Sequence, residues 1–168
     1  DFDPRPDGFT AVLEAGSATG TVTATEAVGR NPADRSGKDY RSLSSKGHTI
    51  VARLNHGYGS AGTIPLRAEW GNFAARCANF AAASQGCSIW VIGNETNLSG
   101  EWPAEANGYR KYISPEDYAA CFRTVDSAIK AVRPAHKVIP QALAPFAGPY
   151  GASATHDAMP IDHITYCR

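Results

Sequence analysis

The sequence predicts a single α/β domain in which parallel βαβ units form a reduced or partial TIM-type barrel. Short apolar and β-branched segments alternate with segments of helical periodicity along the 168 residues. The strand segments recur at intervals of about 26 to 48 residues, as expected for strands joined by right-handed crossovers. No second domain is indicated, so residues 1–168 are assigned to one domain.

The first half of the chain predicts two short helices and two strands. The first helix begins after Asp7, which can cap its N-terminus, and ends before Gly16. Threonine and valine dominate the first strand, and valine, isoleucine and leucine the second, as is typical of strands. In order, the elements are helix 9–15, strand 21–25, a weaker helix 38–44 and strand 49–54.

The second half predicts two longer helices and three strands. Apolar residues recur at helical spacing from Leu66 to Phe80, so one helix spans about 66–85. The other begins at Ser114, a good N-cap residue, with proline in its first turn, and runs to Val132. Strand 88–92 is apolar on both faces, as in a parallel sheet covered by helices. The remaining predicted strands are 137–143 and 161–166. Pro140 is unfavourable inside the first of them, because proline cannot donate a hydrogen bond to the neighbouring strand.

Composition excludes several classes of function. Lys plus Arg and Asp plus Glu both number 16, so no basic excess indicates a nucleic-acid partner. No apolar run reaches the roughly 20 residues of a membrane-spanning helix, and no membrane association is predicted. No glycine-rich phosphate-binding motif follows a strand, so no cofactor is predicted. The histidines and cysteines lack the spacing of a metal site, and no metal is predicted either.

The cysteines leave the cellular compartment open, with a lean towards an extracellular location. Cys77 and Cys87 bracket a helix end and the next strand, so their spacing allows a disulfide. Buried free thiols explain the same positions equally well, because unpaired cysteine is among the most buried residue types.

Polar residues follow three of the predicted strands at the point where each strand ends. They are Glu26, Asn55–His56 and Asn94–Glu95. In parallel α/β folds, the edge formed by the carboxyl ends of the strands is where the chemistry takes place. A carboxylic acid at such a rim can donate a proton to a leaving oxygen, and an asparagine beside it can bond a substrate hydroxyl. The alternative is a glutamate that only caps the next turn.

Residues 89–95, with the sequence IWVIGNE, resemble the fourth-strand motif of the clan A glycoside hydrolases, the cellulase-like and β-galactosidase-like (β/α)8 barrels. In that family an Asn-Glu pair ends strand four, and the resemblance gives its general acid/base role to Glu95. Strand 49–54 is similar to the strand-three region, so residues 20–166 would correspond to strands two to six. The resemblance also implies a retaining mechanism, with a second glutamate as nucleophile at the end of strand seven.

The sequence departs from that pattern because it stops after the predicted sixth strand. It contains no strand seven and hence no matching nucleophile. A complete barrel usually takes about 250 residues and rarely fewer than 200, more than the 168 present. The chain could be a fragment, two copies could complete one barrel as a homodimer, or irregular segments could close a shortened barrel. We favour the shortened barrel, because the loop 144–160 could cover an opening.

Glu26 is the sequence's candidate for the missing second carboxylate. It directly follows strand 21–25 and is expected on the same rim as Glu95. The distance between two such carboxyl groups would decide between retention and inversion. The alternative is a structural glutamate paired with Arg53 on the neighbouring strand. Arg53 itself is expected either to hold Glu26 or to bind substrate oxygens with both arms of its guanidinium.

Further residues near the predicted rim are candidates for substrate binding. Asn55, His56 and Tyr58 follow the second strand, and Trp102 could stack on the apolar face of a sugar. For His56 the alternative is a solvated loop residue, and for Trp102 it is packing of its own loop onto the fold. Glu101 is expected to be a solvated loop charge.

Three functions are compatible with these patterns. The leading hypothesis is a glycoside hydrolase-related domain that acts on a polysaccharide or peptidoglycan-like glycan, with Glu95 as general acid/base. The first alternative is a non-catalytic carbohydrate-binding or pseudoenzyme barrel that lacks the strand-seven nucleophile. The second is a different α/β enzyme with an open sheet, such as a flavodoxin-like domain, although residues 27–31 make a poor phosphate-binding loop.

Overall fold

Four parallel strands form the sheet of this α/β protein, in a computed structural model that describes residues 8–144. Each strand pairs with the next one along the chain, so the spatial order is the sequence order. The strands are β1 (Thr21–Ala27), β2 (Thr49–Asn55), β3 (Ile89–Ile92) and β4 (Lys137–Pro140). The predicted α/β class and parallel pairing are thereby confirmed.

Four helices connect or precede these strands. They are α1 (Gly8–Ala15), the single-turn α2 (Arg41–Ser44), α3 (Trp70–Ala83) and α4 (Pro115–Val132). The predicted start of α4 is confirmed, because the Ser114 hydroxyl oxygen accepts a hydrogen bond from the Asp117 backbone N–H at 3.1 Å. Helices α3 and α4 pack against each other.

The two faces of the sheet differ because side chains alternate along each strand. Ala52 pairs in register with Trp90, and both side chains are fully buried. Trp90 meets Phe80 of α3 edge to face, with ring centroids 6.2 Å apart. We call this side, which also carries Leu54, the helix face. The second face carries the alternate residues of the strands, among which Val51 and Arg53 of β2 and Ile89 and Val91 of β3 are half-buried.

Some predicted element bounds were wrong, and one error matters for the site. Strand β1 continues through Glu26 to Ala27, so Glu26 belongs to the strand rather than to the loop after it. Strand β4 ends at Pro140, three residues earlier than predicted. The predicted strand 161–166, and the loop 144–160 beyond its first residue, lie outside the described residues.

Strand order also bears on the flavodoxin-like alternative. That fold places β1 between β2 and β3, in the order 2-1-3-4-5. Here β2 lies between β1 and β3 in the described sheet, which contradicts a flavodoxin-like arrangement of these strands. Between residues 8 and 144, no helix is long and apolar enough to cross a membrane.

The three cysteines of the described segment are buried free thiols. Cys77 and Cys87 do not form the disulfide that their spacing allowed, and Cys121 is also unpaired. Burial raises the pKa of the Cys77 thiol well above its ordinary value, as expected for a thiol enclosed by α3 and its neighbours.

Candidate active site

The chain turns sharply just after β3. Gly93 has a φ of +77°, and Glu95, which has a side chain, has a φ of +42°. Left-handed backbone costs a residue with a Cβ roughly 1–2 kcal/mol, and it persists only where the surroundings hold it. The backbone N–H of Glu95 donates to the Ala142 carbonyl oxygen at 3.1 Å. That bond ties the turn to the segment that follows β4.

Two further residues of the same turn are tied to this segment. The backbone N–H of Thr96 donates to Gln141 Oε1 at 3.2 Å, and Gln141 Nε2 donates back to Thr96 Oγ1. Asn97 and Ala144 exchange two hydrogen bonds of 3.0 Å, one in each direction between side-chain amide and backbone. Because Thr96 and Asn97 are fully buried, these bonds fix the position of Glu95.

One amide nitrogen links two carboxylates at this rim. Asn94 Nδ2 donates to Glu95 Oε2 at 3.3 Å and to Glu101 Oε1 at 3.1 Å. All three side chains are partly buried. The two hydrogens of a single amide group therefore hold two acids beside each other. Paired carboxylates of this kind are the groups that glycosidic bond cleavage requires.

The backbone around Glu101 is fixed on both sides. Arg110 Nη1 donates to the carbonyl oxygens of Gly100 at 3.0 Å and Trp102 at 2.8 Å. The Glu101 carbonyl oxygen accepts from the Thr63 N–H at 2.8 Å. Glu101 is thus part of a rigid loop, and its expected role as a solvated loop charge was wrong.

Opposing influences act on the acidity of Glu101. Burial raises the pKa of its carboxyl group, and the neighbouring charge of Glu95 acts in the same direction. The hydrogen bond from Asn94 and the charges of Arg53 and Arg110 lower that pKa, and the net direction is upward. Arg53 therefore lies within electrostatic range of the carboxylate pair, on the second face of the sheet.

Glu26 does not belong to this group. It pairs in register with Leu54, so its side chain lies on the helix face, whereas Arg53 is in register with Thr25 and lies on the opposite face. Glu26 is buried, and its Oε1 accepts from the Tyr40 hydroxyl at 3.2 Å. Its Oε2 is 3.7 Å from Lys38 Nζ. Glu26 is therefore a buried structural glutamate, as the alternative interpretation had it, but its partners are Tyr40 and Lys38 rather than Arg53. The prediction that Glu26 is the second carboxylate beside Glu95 is wrong, because its side chain lies on the helix face.

Asn55 and His56 are both buried and both hold the loop that follows β2. Asn55 Oδ1 accepts from the Thr63 hydroxyl at 3.1 Å. His56 Nδ1 lies 2.9 Å from the Ala61 carbonyl oxygen, so it must donate there, and Nε2 accepts from Arg30 Nη1 at 3.1 Å. This pairing holds the imidazole in its neutral form. Burial, and secondarily the charge of Arg30, lower the pKa of His56.

The two aromatic candidates differ in accessibility. Trp102 is fully buried, its indole N–H donates to the Thr96 carbonyl oxygen at 2.7 Å, and its ring meets Tyr112 at 5.0 Å. It packs the loop onto the fold, so stacking of Trp102 on a sugar is contradicted by its enclosure. Tyr58 is 58% exposed and stays a candidate for contact with a sugar ring.

Sequence reasoning missed Glu101 as a partner of Glu95. The signal was its place six residues after Glu95, before a tryptophan whose burial would anchor that loop. Within residues 8–144, no group of three or more His, Cys, Asp or Glu side chains could hold a metal ion.

No protein-family model matches this chain, and no curated protein is significantly similar to it.

Proposed function

We propose that this chain is a glycoside hydrolase-related domain whose active site is the rim after β3. Glu95 is its general acid/base, and Asn94 positions the Glu95 carboxylate and contacts the substrate. The substrate is a polysaccharide or a peptidoglycan-like glycan. The described sheet is one part of a reduced or partial TIM-type barrel, in keeping with its sequential strand order and with the packing of α3 against α4.

The observation that carries this proposal is the Asn94 amide shared by Glu95 and Glu101. A glycosidase needs one carboxylic acid that protonates the leaving oxygen and one carboxylate on the other side of the sugar ring. Two acids at the carboxyl rim of a parallel sheet, held by one donor and partly shielded from water, support the assignment of this rim as the site of such chemistry. Exposed Tyr58 offers an aromatic surface for a sugar near the end of the adjacent strand.

Glu95→Gln tests the proposal because it removes the acidic proton and keeps the size of the side chain. Turnover of a panel of polysaccharides and peptidoglycan fragments is measured for the wild type and the variant. We expect a loss of about 10²–10⁴-fold, the contribution of general acid–base catalysis. Glu105→Gln is the matched control, since Glu105 is exposed on the same connection between β3 and α4.

Two results would contradict the proposal. Activity of Glu95→Gln within about tenfold of the wild type would show that Glu95 is not the acid/base. Glycan binding without turnover by the wild type, unchanged in Glu95→Gln, would instead support a non-catalytic carbohydrate-binding protein. Thermal unfolding of each variant is measured in parallel to confirm that it is folded.

A further inference from the structure

We infer that a groove next to the carboxylate rim binds two successive units of an uncharged glycan chain. The groove consists of a first cavity of about 250 Å³ and a second cavity of about 220 Å³. Pro65, Leu66 and Pro103 line both cavities, so the two adjoin. The inference rests on the proposed function only for the glycan nature of the ligand, and it specifies a polymer rather than a single sugar.

The groove is built from the loops that follow β2 and β3 and from the residues around the start of α3. The segment from Glu101 to Ala104 carries a rim acid at its beginning and forms a wall of the first cavity at its end. The Ala104 N–H donates to the Ser60 carbonyl oxygen at 2.8 Å, and the Thr63 N–H donates to the Glu101 carbonyl oxygen at 2.8 Å. These bonds join the two loops, so the groove adjoins the rim through a fixed wall.

A guanidinium and a carboxylate meet at the first cavity. Arg30 Nε lies 3.4 Å from Glu69 Oε2, and Arg30 Nη1 donates to His56 Nε2 at 3.1 Å. Asn72 Nδ2 donates to the same Glu69 oxygen at 2.9 Å. Within residues 8–144, the second terminal nitrogen of Arg30 has no hydrogen-bond partner, and the side chain is 52% exposed. The guanidinium is thus held in position while some of its donors are free for a ligand.

This adjacent donor and acceptor match the hydroxyl groups of a sugar. A hydroxyl both donates and accepts hydrogen bonds, so neighbouring hydroxyls of one ring can accept from Arg30 and donate to Glu69. Glu69 also balances the charge of Arg30, which favours a neutral sugar over an anion. The other walls are largely apolar, as with Ala61 and Leu66. Apolar walls with a few fixed polar groups are typical of small-molecule sites.

Aromatic rings line the second cavity. Trp70 and Tyr112 are both half-buried there. The Trp70 indole N–H donates to the Pro65 carbonyl oxygen at 3.0 Å, which fixes the ring. Aromatic rings offer a flat apolar surface to the C–H face of a sugar. Each cavity is smaller than the about 300–1,000 Å³ of sites for drug-sized ligands, so two adjoining cavities suit two linked rings.

The experiment titrates uncharged cello-oligosaccharides and chito-oligosaccharides of one to six units into the full chain carrying Glu95→Gln, which prevents turnover. Calorimetry measures the affinity. We expect it to rise about tenfold or more from one unit to two, and Arg30→Ala to weaken binding of the longer chains about tenfold or more, because a charged donor is lost. Arg123→Ala, at an exposed arginine of α4 outside both cavities, is the control and should bind unchanged.

Tryptophan fluorescence locates the ligand by a second measurement. The chain has three tryptophans. Trp90 and Trp102 are fully buried, whereas half-buried Trp70 lines the second cavity. We expect oligosaccharides of two or more units to change the emission, and Trp70→Phe to abolish that change. Thermal unfolding of each variant confirms that it is folded.

The outcomes separate the groove from the catalytic proposal. Absence of binding in both series, or equal affinity in Arg30→Ala and its parent, overturns the groove. An emission change that persists in Trp70→Phe, or an affinity independent of chain length, overturns the binding of two successive units. Chain-length-dependent binding that Arg30→Ala weakens supports the groove. If the wild type then cleaves neither series nor any other glycan, only the proposed catalytic function is overturned.

Discussion

Glu26 and Glu95 come from similar positions in the sequence and end in different environments. Both lie at or just beyond the carboxyl end of a parallel strand. Glu26 is buried on the helix face, where Tyr40 and Lys38 occupy both of its oxygens. Glu95 lies beyond its strand in a left-handed turn, where Asn94 holds it beside a second acid. One glutamate belongs to the core, and the other belongs to the rim.

The difference shows that a glutamate near the end of a strand is available for chemistry only if its side chain lies on the open side of the sheet and is not enclosed by the helices. Successive strand residues point to opposite faces, so a shift of one position moves a side chain from one side of the sheet to the other. Arg53 is in register with Thr25, one residue before Glu26, and its charge acts on the Glu101 carboxylate, whereas Glu26 is not among the groups that shift the pKa of Glu101. Substitutions at buried residues and at rim residues should therefore have different effects on stability and on turnover.

The largest expected effect separates the enclosed aromatic ring from the exposed one. Trp102→Ala is expected to lower the free energy of unfolding by about 3–5 kcal/mol, because it removes a fully buried indole. Tyr58→Ala is expected to change it by no more than about 0.5 kcal/mol, because that ring is largely solvated. Urea unfolding measures both values. A small effect of Trp102→Ala, combined with weaker glycan binding, would place Trp102 at the rim instead.

Much of the fold follows from the sequence because its signals are local and strong. The apolar spacing of α3, the Ser114 cap of α4 and the apolar run of β3 identify these elements correctly. Glu26 was misplaced because periodicity rarely defines strand ends to within two residues, and here two residues moved it from loop to strand. Glu101 was missed because its contact with Asn94 depends on the path of the irregular turns between the two residues. Irregular turns leave no periodic pattern in the sequence.

The next effect tests the core side of the comparison. Glu26→Ala is expected to cost about 1–3 kcal/mol of unfolding free energy, because the buried Tyr40 hydroxyl loses this acceptor. Turnover of any glycan should stay within a few-fold of the wild type, since Glu26 lies away from the carboxylate pair. Glu105→Ala, at an exposed glutamate, is the control for stability. A loss of turnover in Glu26→Ala as large as that of Glu95→Gln would return Glu26 to the active site.

A smaller effect of the opposite sign is expected at the rim. Glu95→Gly should raise the free energy of unfolding by about 1 kcal/mol relative to Glu95→Ala, because glycine adopts a positive φ without a steric penalty. Both variants lack the carboxylate and should be inactive, so only stability distinguishes them. Equal urea midpoints would mean that the turn relaxes when the side chain is removed. The rim would then store no strain at Glu95.

The smallest effect concerns His56, which follows β2 at the rim but is enclosed like a core residue. Its pKa is lowered in the folded protein, first by burial and then by Arg30, so the unfolded chain binds a proton at a higher pH, near the ordinary value of about 6.5. Between these two pKa values the unfolded state carries more protons, and stability falls as the pH falls.

We expect His56→Gln to lose less unfolding free energy than the wild type between pH 7.5 and 5. His136, whose pKa is also lowered, contributes equally to both proteins, so their difference isolates His56. Parallel pH curves would mean that His56 titrates as it does in the unfolded chain, as a solvated residue of the rim would.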